Sequence, residues 1–158
     1  ADPAFLSGLR TLADRGLSFD LQLTPPLMHA TADLLERVPE LRVALCHAGS
    51  PSDFSEEGLA EWRTGLERLA HLPNLICKPS GFGMFQPGWT VPSIRPLVLT
   101  AIDIFGPERI AFGSNFPVDK LAAGYGRVMG AYSDITSDFG NAEREQMLAG
   151  TAELFYRL

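Results

Sequence analysis

Short apolar runs with strand character alternate with longer segments whose apolar positions recur every three or four residues. Leu17–Leu23 (LSFDLQL), Leu41–His47 (LRVALCH), Leu75–Ser80 (LICKPS) and Arg109–Ser114 (RIAFGS) predict four strands. Between them the pattern changes to a helical period. Phe5–Arg15 is an amphipathic helix closed by Gly16. His29–Val38 follows Pro25-Pro26 and ends before Pro39. In Ser55–Leu72, the residues Leu59, Trp62, Leu66 and Leu69 fall on one face, and Pro73 ends the helix. Ser93–Phe105 stops at Gly106-Pro107. Leu121–Phe139 and Ala142–Tyr156 complete the set, with Asn141 as the expected N-cap of the last. Strand and helix in strict alternation imply βα units on a parallel sheet, an α/β fold in a single domain. The loop Gly81–Thr90, rich in Gly, Pro and aromatics, suits a site wall or a plain packed loop equally.

Chemistry in such a fold gathers at the carboxyl ends of the strands. The polar residues there are Asp20 and Gln22, then His47, then Lys78 and Ser80, then Ser114 and Asn115. Alternation along a strand sets their faces. Phe19, Leu21 and Leu23 turn towards the helices and Asp20 and Gln22 inward. Likewise Ile110 and Phe112 share one face, and Ala111, Gly113 and Asn115 the other. His47 can bind a metal or shuttle a proton, or simply brace a loop. Lys78 can polarise a carbonyl or pair with Asp20 inside the lumen. Cys46 and Cys77 directly precede His47 and Lys78, so alternation turns both thiols to the opposite face, buried and inert. His29 and His71 belong to helix surfaces and Trp62 to the core.

The charge balance narrows the class of function. Thirteen Lys+Arg against nineteen Asp+Glu leave a net charge of −6, with no basic run. This excludes a typical nucleic-acid or anionic-membrane surface. Two cysteines build neither a disulfide framework nor a zinc motif, which makes a reducing cytoplasm the expected location. The chain opens on Ala1 rather than Met, and its first residues read as the middle of a larger pattern.

Four ordered motifs carry a family resemblance. They are Leu-Ser-Phe-Asp-Leu-Gln, then His47-Ala-Gly, then Pro73-Asn-Leu-Ile-Cys-Lys-Pro-Ser-Gly, then Phe105-Gly-Pro-Glu-Arg-Ile-Ala-Phe-Gly-Ser-Asn-Phe-Pro-Val. Together they resemble the amidohydrolase-related family of metal-dependent TIM-barrel hydrolases, in the branch that holds sugar and dicarboxylate lactonases. The resemblance implies a (β/α)8 barrel about twice this length, of which the chain is the C-terminal half. It implies hydrolysis of a lactone or similar carbonyl ester by activated water. It places His47 as metal or catalytic ligand, Asn115 as water-positioning group, and Gln22, Lys78 and Ser114 as substrate contacts. One divalent ion such as zinc is the implied cofactor, with metal-independent chemistry also open.

The chain departs from the family pattern in three places. The family's first-strand His-x-His does not occur. The final-strand carboxylate of Gly-Ser-Asp-x-Pro is replaced by the amide of Asn115, which cannot act as a general base. Asp119 lies four residues on and is the nearest substitute, although its place after Pro117 predicts a loop. Thr151-Ala152 stands where the family has Asn-Ala. The alternative reading is therefore a truncated or degenerate half-barrel without activity. Four or five strands cannot close an eight-stranded barrel, so self-association or a missing N-terminal half is expected.

Overall fold

A computed structural model describes residues 2–158. Strands β1 (Ser18–Leu21), β2 (Arg42–Cys46) and β3 (Leu75–Lys78) form a parallel sheet in the order β1-β2-β3. The register pairs Asp20 with Ala44, and Cys46 with Lys78. Neighbours in the sheet are also neighbours in sequence, with no reversal of order. That is the path of a barrel wall, whereas a doubly wound sheet reverses at its switch point.

Helices cover one face of this wall. They are α1 (Pro3–Asp14), α2 (Met28–Leu35), α3 (Glu56–Ala70), α5 (Val91–Phe105) and α6 (Tyr125–Ile135), while the single turn α4 (Phe82–Phe85) lies at the carboxyl end of β3. Local signals start them. Asp2 accepts the Ala4 N–H, Ser55 accepts the Gly58 N–H, and Thr90 and Ser93 form a capping box on α5. Val43, Leu45, Leu75, Cys77, Ile110 and Phe112 pack beneath them with Trp62, Leu66 and Phe105. Each such apolar side chain taken from water contributes about 1.5–3 kcal/mol. Trp62 also donates its Nε1–H to Ala48 O at 2.7 Å, as its core placement requires. Arg109 joins two helix ends by donating to Phe105 O (3.0 Å) and Ala70 O (2.9 Å). No helix among the described residues is long and apolar enough to cross a membrane.

The predicted fourth strand is only partly formed. Ile110 makes an isolated parallel bridge to Cys77, and the N–H groups of Ala111 and Gly113 donate to Cys77 O and Pro79 O. Its far edge meets a helix rather than a strand. The Phe112 N–H donates to Met147 O at 3.0 Å. Met147 lies in a π-helical turn, Gln146–Gly150, between α7 (Asn141–Glu145) and α8 (Thr151–Tyr156). Such a turn alters the i→i−4 ladder and makes a carbonyl available. The long helix expected over Leu121–Phe139 is shorter, preceded by the 3-10 turn Val118–Leu121. Asn141 is the first residue of α7 rather than its cap. The capping position is Gly140, whose N–H is accepted by Glu143 at 2.9 Å.

The other face of the wall is the lumen. Ala44, Ile76 and Ala111 line it, and Phe155 with Tyr156 of α8 pack against them. Arg42 fixes this helix by donating to Leu154 O at 2.6 Å and stacking over the Phe155 ring. Cys77 is fully buried on the helix side, as expected. Cys46 is not. In register with Lys78 and in step with Ala44, it faces the lumen. Alternation holds through Cys46, and it is the left-handed turn beginning at His47 that aims the imidazole to the same side. Burial still raises the thiol pKa of both cysteines, so both are inert.

Candidate active site

His47 leaves β2 in an uncommon conformation. His47, Ala48, Gly49 and Ser50 have φ values of 56°, 46°, 71° and 54°, one complete left-handed turn. Non-glycine residues enter this region at a cost of about 1–2 kcal/mol each, and such strain gathers at functional sites. The turn is closed by the Ser50 N–H to His47 O bond at 2.9 Å and by the Trp62 bond to Ala48. It presents a half-buried imidazole to the end of β3.

There the His47 Nδ1 lies 2.9 Å from Ser80 Oγ. The Ser80 hydroxyl also reaches Lys78 O at 3.4 Å. Assigning its proton to that carbonyl makes Nδ1–H the donor and leaves Nε2 unprotonated. Burial, and then the nearby Lys78 charge, hold the His47 pKa below the ordinary histidine value. The imidazole is therefore neutral at neutral pH.

Asn115 reaches the same place from the fourth segment, also in a left-handed conformation at φ 54°. Gly81 separates the two side chains. A Cβ there would sit 2.7 Å from His47 Nδ1 and 3.1 Å from Asn115 Nδ2, on a backbone at φ +68°. The short helix α4 places Phe85 edge-on to His47, 6.3 Å between ring centres. The loop Gly81–Thr90 thus forms a wall of this site. Gly81→Ala is expected to cost about 1–3 kcal/mol and to displace the imidazole. Urea midpoints and the His47 ring chemical shifts check this, and an unchanged pair of values would refute the contact.

Lys78 takes the lumen arrangement. Its Nζ donates to Asp20 Oδ2 at 2.7 Å and to Tyr156 OH at 3.3 Å, while the Tyr156 hydroxyl donates to Asp20 Oδ1 at 2.7 Å. Burial pulls the Lys78 pKa down, but the bonds to Asp20 and Tyr156 outweigh it and leave it raised. Gln22 is exposed, just beyond β1. Ser114 is half-buried and its Oγ accepts the Phe116 N–H at 3.3 Å. Thus His47, Ser80, Gly81 and Asn115 converge, Lys78 stands below them, and Gln22 stays apart. His29 and His71 are exposed elsewhere. Tyr156 carries no local signal for this contact, and the position of Asp119 after Pro117 predicts a loop. Asp119 is buried in the 3-10 turn, with Asn115 Nδ2 donating to its Oδ1 at 3.0 Å.

A divalent ion requires more than this set offers. Among the described residues, no three His, Cys, Asp or Glu side chains are grouped for one. One imidazole stands at the mouth, and the Lys78 ammonium occupies the lumen below it. These residues do not by themselves fit a metal.

Comparison with known proteins resolves the family. The model of a family described as Amidohydrolase matches residues 1–158. The chain belongs to the amidohydrolase family. It is 42% identical over 160 residues to "Uncharacterized protein y4mH" of Sinorhizobium fredii, covering 99% of this chain and 52% of that protein. It is 30% identical over 168 residues to an L-fucono-1,5-lactonase of Burkholderia ambifaria, covering 99% and 56%. A crystal structure of a Burkholderia multivorans amidohydrolase with bound zinc superposes with a TM-score of 0.92 at 31% identity, covering 99% of this chain and 58% of that one. The amidohydrolase chain here spans about half the length of the curated relatives it matches. Its wall of parallel strands is the C-terminal half of a TIM barrel, as the four motifs implied.

Proposed function

We infer that this chain carries the C-terminal half of a lactone hydrolase site. The observation that carries the reading is the half-buried His47 at the end of β2, its Nδ1 2.9 Å from Ser80 Oγ, with burial holding its pKa down. A neutral imidazole so oriented can take a proton from water as the water attacks a strained ester carbonyl. The ring C–O bond then breaks, and the proton passes to the departing alkoxide. Asn115 contributes an amide beside the imidazole, suited to orienting water or a substrate hydroxyl. The lactonase names among the relatives favour a sugar lactone as substrate.

The single imidazole favours a second clause in this reading. The site is completed by further barrel strands, and the chain alone is inactive. The test uses the chain alone and the chain mixed with the N-terminal half of the Sinorhizobium fredii relative. Each is given five- and six-membered sugar lactones, including L-fucono-1,5-lactone, and acid release is followed at neutral pH. Release is expected only from the completed barrel. A folded, completed barrel that hydrolyses none of them would overturn the lactone reading.

A further inference from the structure

Asp119 is a carboxylate in an unusual setting. It is 3% exposed, and among the described residues no Lys or Arg lies within ion-pair distance of it. Burying a carboxylate without a cation is costly, and a fold gains no stability from it that an apolar residue would not supply. The side-chain bond it accepts is from Asn115 Nδ2 at 3.0 Å. The backbone is arranged to make that bond, since the Asp119 N–H donates to Asn115 O at 3.1 Å. Its carbonyl then receives the N–H groups of Ala122 and Ala123 at 2.9 and 2.8 Å, which anchors the turn.

Asn115 has a property that makes such a partner useful. The two ends of an amide are nearly the same shape but opposite in hydrogen-bonding sense. Left alone, the group can present either end to the site. A carboxylate accepts and never donates, so it selects one orientation of the amide. We propose that Asp119 is a positioning residue of this site, holding Asn115 Nδ2 so that Asn115 Oδ1 remains the acceptor for water or a substrate hydroxyl. The proposal rests on the lactone-hydrolase reading for the identity of what is bound, but not for the orientation of the amide.

Two arms test it separately. In the completed barrel with a sugar lactone, Asp119→Asn allows both amides to flip together. The value of kcat is expected to fall about tenfold or more, with KM within about twofold and folding retained. The exchange Asn115→Asp with Asp119→Asn keeps one carboxylate and one amide in contact and is expected to recover much of the loss. Wild-type kinetics for Asp119→Asn, or an exchange no better than the single variant, would overturn the proposal. The second arm needs no turnover. The chain has three asparagines. Nitrogen-15 spectra should show one Asn115 side-chain amide proton protected from exchange in the wild type and unprotected in Asp119→Ala. An Asn115 amide that exchanges as fast as that of exposed Asn141 would refute it even if no lactone is hydrolysed.

Discussion

His47→Ala is expected to lower kcat for lactone hydrolysis in the completed barrel by about 10²- to 10⁴-fold, the range supplied by a positioned general base. Substrate binding should change far less, because the imidazole acts on water rather than on the substrate's remote groups. The pH dependence follows from its environment. Burial first, and the Lys78 charge second, hold the His47 pKa below the ordinary value of 6.5. The unprotonated form is the active one, so kcat/KM should stay level through neutral pH. It should fall only on the acid side of the ordinary histidine value. Stability follows the same sign. The unfolded chain takes up the proton at higher pH than the folded one does, so acid favours unfolding. Lys78→Met should raise the acid limb only in part, since burial is the larger cause. Turnover by His47→Ala within tenfold of wild type, measured across pH 5–8, would remove His47 from the mechanism.

How much of this was legible depended on how local each cause was. The strands β1 to β3 were visible because short apolar runs sit between Gly16, Pro39 and Pro73, which stop the preceding helices. The inward face of Asp20 and the helix-facing set Phe19, Leu21 and Leu23 followed from alternation alone. The expected face of Cys46 was wrong because it was counted back from an inward His47, whereas His47 is turned inward by a left-handed turn and not by strand alternation, and nothing in His-Ala-Gly-Ser forces three non-glycine residues into that conformation. Tertiary packing of the Trp62 indole on Ala48 O helps to hold it there. The fourth strand was overestimated because its outer hydrogen bond goes to Met147, in a π-helical turn with no local sequence signature. Tyr156 stayed hidden for a similar reason. It meets Asp20 across 136 positions of sequence, and Lys78 already accounted for the inward carboxylate. Asp119 was within reach of the Asn115 motif, but Pro117 signalled a loop where a buried turn forms.

The contacts among Asp20, Lys78 and Tyr156 predict an unequal response to removing each member. Lys78 is 21% exposed and Asp20 46% exposed, so the carboxylate can be rehydrated and the ammonium cannot to the same degree. Asp20→Asn leaves the cation with weaker partners. Breaking a fully buried pair costs about 3–5 kcal/mol. The exposure of Asp20 screens this, so about 1–3 kcal/mol is expected here. Lys78→Met keeps the packing, leaves Asp20 to Tyr156 and water, and should cost less than about 1 kcal/mol. The double variant should therefore be more stable than Asp20→Asn alone, a non-additivity that a cycle measures directly. The pH dependence has the opposite sign to that of His47. The folded pKa of Lys78 lies above the ordinary 10.5, so its stabilisation is complete below that value and fades as pH rises beyond it. Urea unfolding between pH 7 and 11 should show the onset of this loss above about pH 10.5 in the wild type and little of it in Asp20→Asn. Additive single costs, with Lys78→Met the more damaging, would mean that the lysine is held by packing rather than by charge.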